Sequence, residues 1–342
     1  MVTIKDVARD AGVSVGTVSN VLNGGRVSEA RRKLVEASIE KLGYQVNTLA
    51  KGMRMQKTDY VVVILPNLIN PYFALLLDAL ESELSAVGKQ VLLCLSGDDA
   101  EREVAFMDMA KQNKVDGIIG VTYSKVEEER IENMAFVSID RHYKSHIPCV
   151  AGDNWQGGWL AAENLHKRGS TNLLCFMTMS SVDSEVRKTK VGFTAYCMEH
   201  DLSCNSVEMS EKQIVSVYES YGSRKLIHNM LRAYISPSMG EHSIDGIFTS
   251  SDHLATIVQE ELEEMGKRVP EDIQIIGYDG LQFLNQGKPI VSSIAQPVHE
   301  IAKEAVRCLN ELIANGKTEG NTKIPVSFQE GPTTKTLVTE EK

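Results

Sequence analysis

Apolar and polar positions follow one rhythm at the start of the chain and another after it. Ile4, Val7, Ala8 and Ala11 recur at helical spacing behind Thr3-Ile4-Lys5-Asp6, a capping-box pattern, and predict a helix from about Ile4. Gly12 tolerates positive φ and allows a tight turn, Ser14 caps a second helix with inner face Val18, Val21 and Leu22, and Asn23-Gly24-Gly25 ends it. Ser28 opens a third helix whose stripe is Leu34, Val35, Ile39 and Leu42, closing before Gly43. From Tyr60 onward, strand-sized apolar runs at Tyr60–Leu65, Gln90–Leu95, Gly117–Val121, Ala135–Ile139, Leu173–Met177, Gly246–Thr249 and Ile273–Tyr278 alternate with helical patterns. The helices are expected near Tyr72–Val87, Ala100–Gln112, Val126–Asn133, Trp155–His166, Glu185–His200, Ser223–Tyr234 and Leu254–Met265. Fully apolar strands alternating with helices predict parallel sheets covered on both faces, and 58–342 is long enough for two such lobes.

Charge sharpens this division. Residues 1–57 hold ten Lys/Arg against five acids and 58–342 hold 26 against 41, so the overall −10 divides into +5 and −15. A small basic module on a large acidic body fits a nucleic-acid-binding head joined to a body with another task. Two short helices joined by a Gly-containing turn and braced by a third make a helix-turn-helix, with Val15, Gly16, Thr17 and Asn20 facing away from the apolar stripe toward a major groove.

In the body, ligands of parallel sheets bind beyond the carboxyl ends of strands, which for two lobes means the cleft between them. The segments there are Pro66–Phe73, Asp140-Arg141, Asp252 and Asp279. Carboxylates, amides and aromatics converging without a nucleophile–base pair suit a polyhydroxylated ligand, since each Asp accepts from hydroxyls and a ring packs on a sugar face. Trp155 and Trp159, at i and i+4, are either an aromatic platform for ligand or packing where the chain crosses between lobes.

Other chemistries lack their equipment. No GxGxxG or GxxxxGK[ST] is present, and the lone GxSxG, Gly12-Val13-Ser14-Val15-Gly16, lies in the basic head and does not follow a strand, so no enzymatic activity and no cofactor are expected. The eight histidines lie in the body without ligand spacing, so no metal is expected, and the six scattered cysteines read as reduced hydrophobes. No apolar run reaches the roughly 18–20 residues of a membrane span, and the N-terminus has no secretory pattern; the expected location is cytoplasmic.

The run from Thr3 through Asp6-Val7-Ala8, Gly12-Val13-Ser14, Val18-Ser19-Asn20 and Leu22-Asn23 resembles the headpiece signature of the LacI/GalR family of transcription regulators. The likeness continues through Tyr44 and Asn47–Lys57, then Asn70-Pro71-Tyr72-Phe73, Val115-Asp116-Gly117, Ser251-Asp252, Gly277-Tyr278-Asp279 and Gln296-Pro297, and so covers essentially the whole chain. It implies an all-α helix-turn-helix headpiece at 1–46, a hinge helix or linker at 47–57, and a two-lobed, periplasmic-binding-protein-like α/β core at 58–342. The expected N-lobe is about 58–154 plus 291–320, and the C-lobe about 155–290 plus 321–342.

By resemblance, Val15, Gly16 and Asn20 read bases while Thr3, Thr17, Ser19 and Tyr44 hold phosphates, with Ser14 and Arg26 completing the headpiece set. In the hinge, Lys51 and Arg54 meet phosphate or minor-groove edges and Met53 stands where relatives place a Leu wedge. The expected effector residues are Tyr72, Phe73, Asp140, Arg141, Arg187, Asp252, Asp279 and Gln296. The pattern departs at Gly16, which has no side chain, at Asn20, where many relatives carry Arg or His, and at Thr189, where many carry Arg; Arg187 or Lys190 substitutes only if the helix register shifts.

The implied function is sequence-specific repression of a carbohydrate operon, with operator affinity changed by a small sugar or sugar phosphate. The implied partners are double-stranded palindromic operator DNA and a second copy of the chain. The absence of an added heptad after Leu337-Val338 favours a dimer over a tetramer. Within the family, Asp140-Arg141-His142 and Ile276–Gly280 look nearest to regulators of sucrose or related sugar operons. The competing readings are a regulator activated by a corepressor or protein partner, and a cytoplasmic sugar-binding protein.

Overall fold

The computed structural model describes residues 2–22, 24–44, 58–124, 131, 134–143, 147–179, 182, 184–235, 243–282, 286–318 and 320–337. The chain divides into two compact units, Met1–Thr58 and Asp59–Lys342. The expected hinge, with Lys51, Met53 and Arg54, and nearly all of the helix expected at Val126–Asn133 lie outside the described residues.

The first unit contains α1 (Ile4–Asp10), α2 (Val15–Leu22) and α3 (Glu29–Leu42). Asp6 reaches back to the Thr3 N–H (3.0 Å), the Ser14 hydroxyl accepts from the Thr17 N–H (3.1 Å), and Gly43 ends α3 at φ +59°. Val7, Val18 and Val35, one from each helix, are fully buried together. Ser38 ties α3 to α1 by donating to Asp10 at 2.9 Å, and Lys41 pairs with the same carboxylate. Leu34, placed in the apolar stripe by sequence, is instead 55% exposed, because the stripe that reaches the other helices runs through Val35, Ser38, Ile39 and Leu42.

The second unit holds two six-stranded sheets. Its elements are β1 (Tyr60–Leu65), α4 (Pro71–Ala86), β2 (Gln90–Leu95), α5 (Ala100–Gln112), β3 (Gly117–Val121), β4 (Phe136–Ile139), β5 (Cys149–Gly152) and α6 (Asn154–Lys167). They continue with β6 (Asn172–Met179), α7 (Arg187–Glu199), β7 (Ser203–Ser210), α8 (Glu211–Glu219), α9 (Lys225–Ile235), β8 (Gly246–Thr249) and α10 (Asp252–Glu264). The last are β9 (Gln274–Asp279), β10 (Ser292–Ala295), α11 (Val298–Asn315), β11 (Thr322–Ile324) and β12 (Ser327–Gln329). One sheet runs β11-β5-β4-β3-β1-β2, all parallel; the other runs β12-β10-β9-β8-β6-β7, parallel except for β12.

The apolar continuity of β6 shows why these strands need cover on both faces. Leu173, Cys175 and Met177 point into a core under α6 and α7, while Leu174 and Phe176 point into the opposite core under α8, α9 and α10. All six cysteines are free thiols and five are buried, as small hydrophobes would be. The first sheet is covered in the same way by α4 and α11 on one face, through Leu76, Leu80, Ile301 and Leu309, and by Met107 and Ala110 of α5 on the other.

The chain passes between lobes at three places, and two differ from expectation. Ser292–Ala295 pairs with β9 in the second sheet and Thr322–Ile324 pairs with β5 in the first. The crossings expected near 291 and 321 therefore fall after Ala295 and after Ile324. Ser292, Ser293 and Thr322 interrupt the apolar positions there, so no apolar run assigns either segment to a sheet.

Candidate functional site

In the headpiece, α2 is positioned by burial of Val18 and Val21, which turns its other faces outward. Thr3, Ser14, Gly16, Asn20 and Arg26 are exposed, and Val15, Thr17, Ser19 and Tyr44 half-buried. Gly16 has room for a side chain: a Cβ there would come no nearer than 3.7 Å to the Ser14 hydroxyl. The N-terminal end of α2 thus presents polar and small groups in one array, as a helix entering a groove requires.

In the body, the second candidate site lies beyond the carboxyl ends of the strands, between the lobes. After β1, Asn67 accepts from the Ile69 and Asn70 N–H groups (3.0 Å each), and Asn70 caps α4 by accepting from the Tyr72 N–H (3.1 Å), with Pro71 in the first turn. These turns seat Tyr72 and Phe73, 4% and 7% exposed, at the cleft. Asp140 follows β4 at φ +62°, and Asp279 ends β9 at φ +122°. Both are non-glycine residues on left-handed or strained backbone, a feature concentrated at functional sites.

The side chains form two sets of hydrogen bonds. Tyr72 donates to Gln296 Oε1 at 3.4 Å, and Gln296 donates to Asp279 Oδ1 at 3.0 Å. Tyr278 and Thr189 both donate to Asn154 Oδ1, at 2.9 and 3.2 Å. Two small cavities open here. One of about 50 Å³ is lined by Asp140, Asn154, Thr189, Tyr278, Asp279 and Gln296; the other, about 70 Å³, by Asn67, Phe73, Thr178, Tyr218, Ser250 and Ser251. A wider depression of about 640 Å³ follows the crossing segments Ala295–Glu300 and Ser327–Gln329 and shares only Asp279 and Gln296 with them. The smaller cavities lie where ligands of such sheets bind.

Burial dominates the electrostatics. It raises the Asp140 carboxyl to about 7, helped by the charge of Glu185, and holds Asp279 well above the usual carboxylate range, with Asp252 and Asp140 adding to the effect. The Tyr72 and Tyr278 hydroxyls are likewise pushed up by burial, and stay neutral donors. Glu185 is buried against His142, Lys188 (2.5 Å) and Lys323 (3.5 Å), while its backbone N–H donates to the Asp140 carbonyl at 2.8 Å.

Of the effector residues expected from sequence, Tyr72, Phe73, Asp140, Asp279 and Gln296 come together. Three do not. Arg141 turns back into its own lobe, donating to the Ser124 carbonyl (2.5 Å) and lying over the Tyr143 ring at 4.4 Å. Arg187 is exposed at the start of α7, outside both cavities. Asp252 braces the turn after β9, accepting from the Leu281 N–H and the Ser293 hydroxyl at 2.6 Å each. Trp155 and Trp159 stack on each other at 5.2 Å, and Trp159 packs edge-on against Tyr196, so they serve packing. Sequence reasoning missed Asn154, Tyr278, Tyr218, Ser250 and Glu185 as site residues; the position of Asn154, Tyr278 and Ser250 at or just after strand ends was the available signal, whereas Tyr218 on α8 and Glu185 before α7 carried none.

Residues 3–47 match the model of bacterial regulatory proteins of the lacI family, and 162–334 match a periplasmic binding protein-like domain. The chain is 32% identical to a sucrose operon repressor of Pediococcus pentosaceus, covering 96% of this chain and 98% of that protein. It is 31% identical to a ribose operon repressor of Halalkalibacterium halodurans, covering 90% and 89%. Among solved structures, the lac repressor dimer bound to operator and an anti-inducer superposes with TM-score 0.79 at 22% identity, over 97% of this chain and 98% of that one. A periplasmic binding protein/LacI transcriptional regulator of Alkaliphilus metalliredigens, complexed with D-xylulofuranose, gives 0.69 at 25% identity, over 81% and 100%. With its helix-turn-helix unit and two-lobed core, the chain belongs to the lacI family of bacterial regulatory proteins.

Proposed function

We propose that the protein represses a carbohydrate-utilisation operon, binding a palindromic operator as a homodimer, and that a small sugar held between the two core lobes changes its affinity for DNA. The observation that carries this is the pair Asp140 and Asp279, one from each lobe, both on strained backbone and both lining one cavity. Carboxylates with adjacent amide and phenol groups match the donor-rich rim of a sugar, and Phe73 supplies an apolar surface. The curated relatives include sucrose and ribose operon repressors, and one similar structure holds D-xylulofuranose. A ligand that contacts both lobes favours one lobe geometry over another, and differential affinity is what allosteric control requires. In the headpiece, Val15, Gly16 and Asn20 address base edges and Thr3, Ser14, Thr17, Ser19, Arg26 and Tyr44 the backbone. Lys51, Met53 and Arg54 act in the segment that follows.

The test is fluorescence anisotropy of the purified protein on labelled DNA from upstream of its own gene, at fixed salt, with and without a sugar panel. Specific binding released by one sugar is the expected result. Specific binding that sugars only strengthen would make the ligand a corepressor, and no specific binding would overturn the proposal.

A further inference from the structure

The charges around the cleft determine what kind of sugar it fits. Asp140 and Asp279 are 3% and 5% exposed, and Oδ1 of the first and Oδ2 of the second accept no hydrogen bond from the described residues. Among those residues, no Lys or Arg lines either cleft cavity. The neighbouring basic side chains are engaged elsewhere: Arg141 with Ser124 and Tyr143, and Lys188, Lys323 and His142 with Glu185. At position 189 a hydroxyl is bonded to Asn154, and no charge is supplied. A carboxylate buried without a cation is strongly disfavoured unless it is protonated or paired. The upward displacement of both carboxyls agrees with that imbalance.

We propose that the cleft takes an effector bearing a protonated amine, an amino sugar, whose ammonium group is held against Asp140 and Asp279, and that it rejects sugar phosphates. A hydroxyl in that place satisfies the open oxygens without neutralising them; an ammonium does both, and a phosphate adds negative charge to a site already acidic. This inference rests on the reading of the cavity as the effector site.

The test is calorimetry on the full-length protein at neutral pH with glucosamine, galactosamine and mannosamine, their parent hexoses, their N-acetyl derivatives and the hexose 6-phosphates. One amino sugar is expected to bind at least about tenfold more tightly than both its parent hexose and its N-acetyl derivative, which keeps the shape and loses the charge. Asp279→Asn should remove that preference. A hexose or N-acetyl sugar bound as tightly, any bound phosphate ester, or no bound amino sugar overturns the proposal. Where one of those other sugars binds and Gln296→Ala or Asp140→Asn weakens it, the effector-site reading survives; where neither substitution affects it, that reading fails as well.

Discussion

Gly158 lies directly against the backbone carbonyl of Thr189: a Cβ on Gly158 would stand 1.8 Å from that oxygen, and one on Gly192 would stand 1.9 Å from the carbonyl of Trp155. Two glycines from α6 and α7 therefore let the helices cross with backbones in contact, and this crossing places Asn154 and Thr189 within hydrogen-bond distance at the cleft. Neither glycine has positive φ; space alone requires them. Gly158→Ala should destabilise the core by about 3 kcal/mol or more, because the obstacle is backbone and cannot change rotamer. Chemical denaturation of this variant should show the loss, and a midpoint equal to the parent's would refute the tight crossing.

Glu185 makes a different link across the cleft. It precedes α7 of one lobe, while His142 and Lys323 belong to segments of the other. Burial alone would push its carboxyl up, but hydrogen bonds from Lys188 and His142 overcome that and leave it lowered. A lowered folded-state value means that the stabilisation is present above the ordinary carboxylate range and is lost as pH falls through the lowered value. Glu185→Gln should reduce stability by about 1–3 kcal/mol at neutral pH, less than a fully buried pair because its partners are part-exposed. The difference from the parent should shrink on acidification; a gap that stays constant from neutral to acid pH would rule out the ionic link.

How much of this could be read beforehand depended on burial. Central strands such as β1 and the Leu173–Met177 stretch of β6 are covered on both faces, so the residues there form an unbroken apolar run. At the sheet margins that logic fails: β7 reads Ser-Cys-Asn-Ser-Val-Glu-Met-Ser with only Met209 buried. In β10 the serines are buried because Ser292 bonds Thr334 and Ser293 bonds Asp252, long-range partners invisible in sequence. The cleft shows the same split. Asp140 and Asp279 were legible as acids at strand ends. The fates of Arg141, Arg187 and Asp252 depended on which way a side chain turns after the strand, and that is set by tertiary neighbours.

Asp140 offers a pH readout opposite in sign to that of Glu185. Its carboxyl is raised to about 7 by burial, so it is protonated more readily in the folded protein than in the unfolded chain. Its contribution is most favourable below the ordinary carboxylate range and is lost as pH rises toward and through 7. Asp140→Asn, which keeps the shape and removes the ionisation, should raise the melting temperature of the ligand-free protein above neutral pH by a few degrees, for about 2 kcal/mol. The gain should disappear in mild acid. A variant less stable than the parent at high pH would show that the carboxylate is compensated.

Substitutions at Asn20 and Arg26 test whether base reading and phosphate holding fall to different headpiece residues. Both are exposed, but Asn20 sits on α2 and Arg26 in the turn before α3. An Asn amide can bond an adenine edge in two places, whereas an arginine outside the groove-facing helix meets phosphate regardless of sequence. Asn20→Ala should relax preference at one base pair of each half-site, by about 1–3 kcal/mol, with little change in salt dependence. Arg26→Ala should weaken every site alike and flatten the plot of log affinity against log salt by about one unit. Anisotropy titrations against operator variants carrying single base-pair changes, each at several salt concentrations, distinguish the two. If both substitutions weakened all sequences equally and reduced the salt slope together, Asn20 would be a backbone contact and the base-reading role of α2 would pass to Val15 and its neighbours.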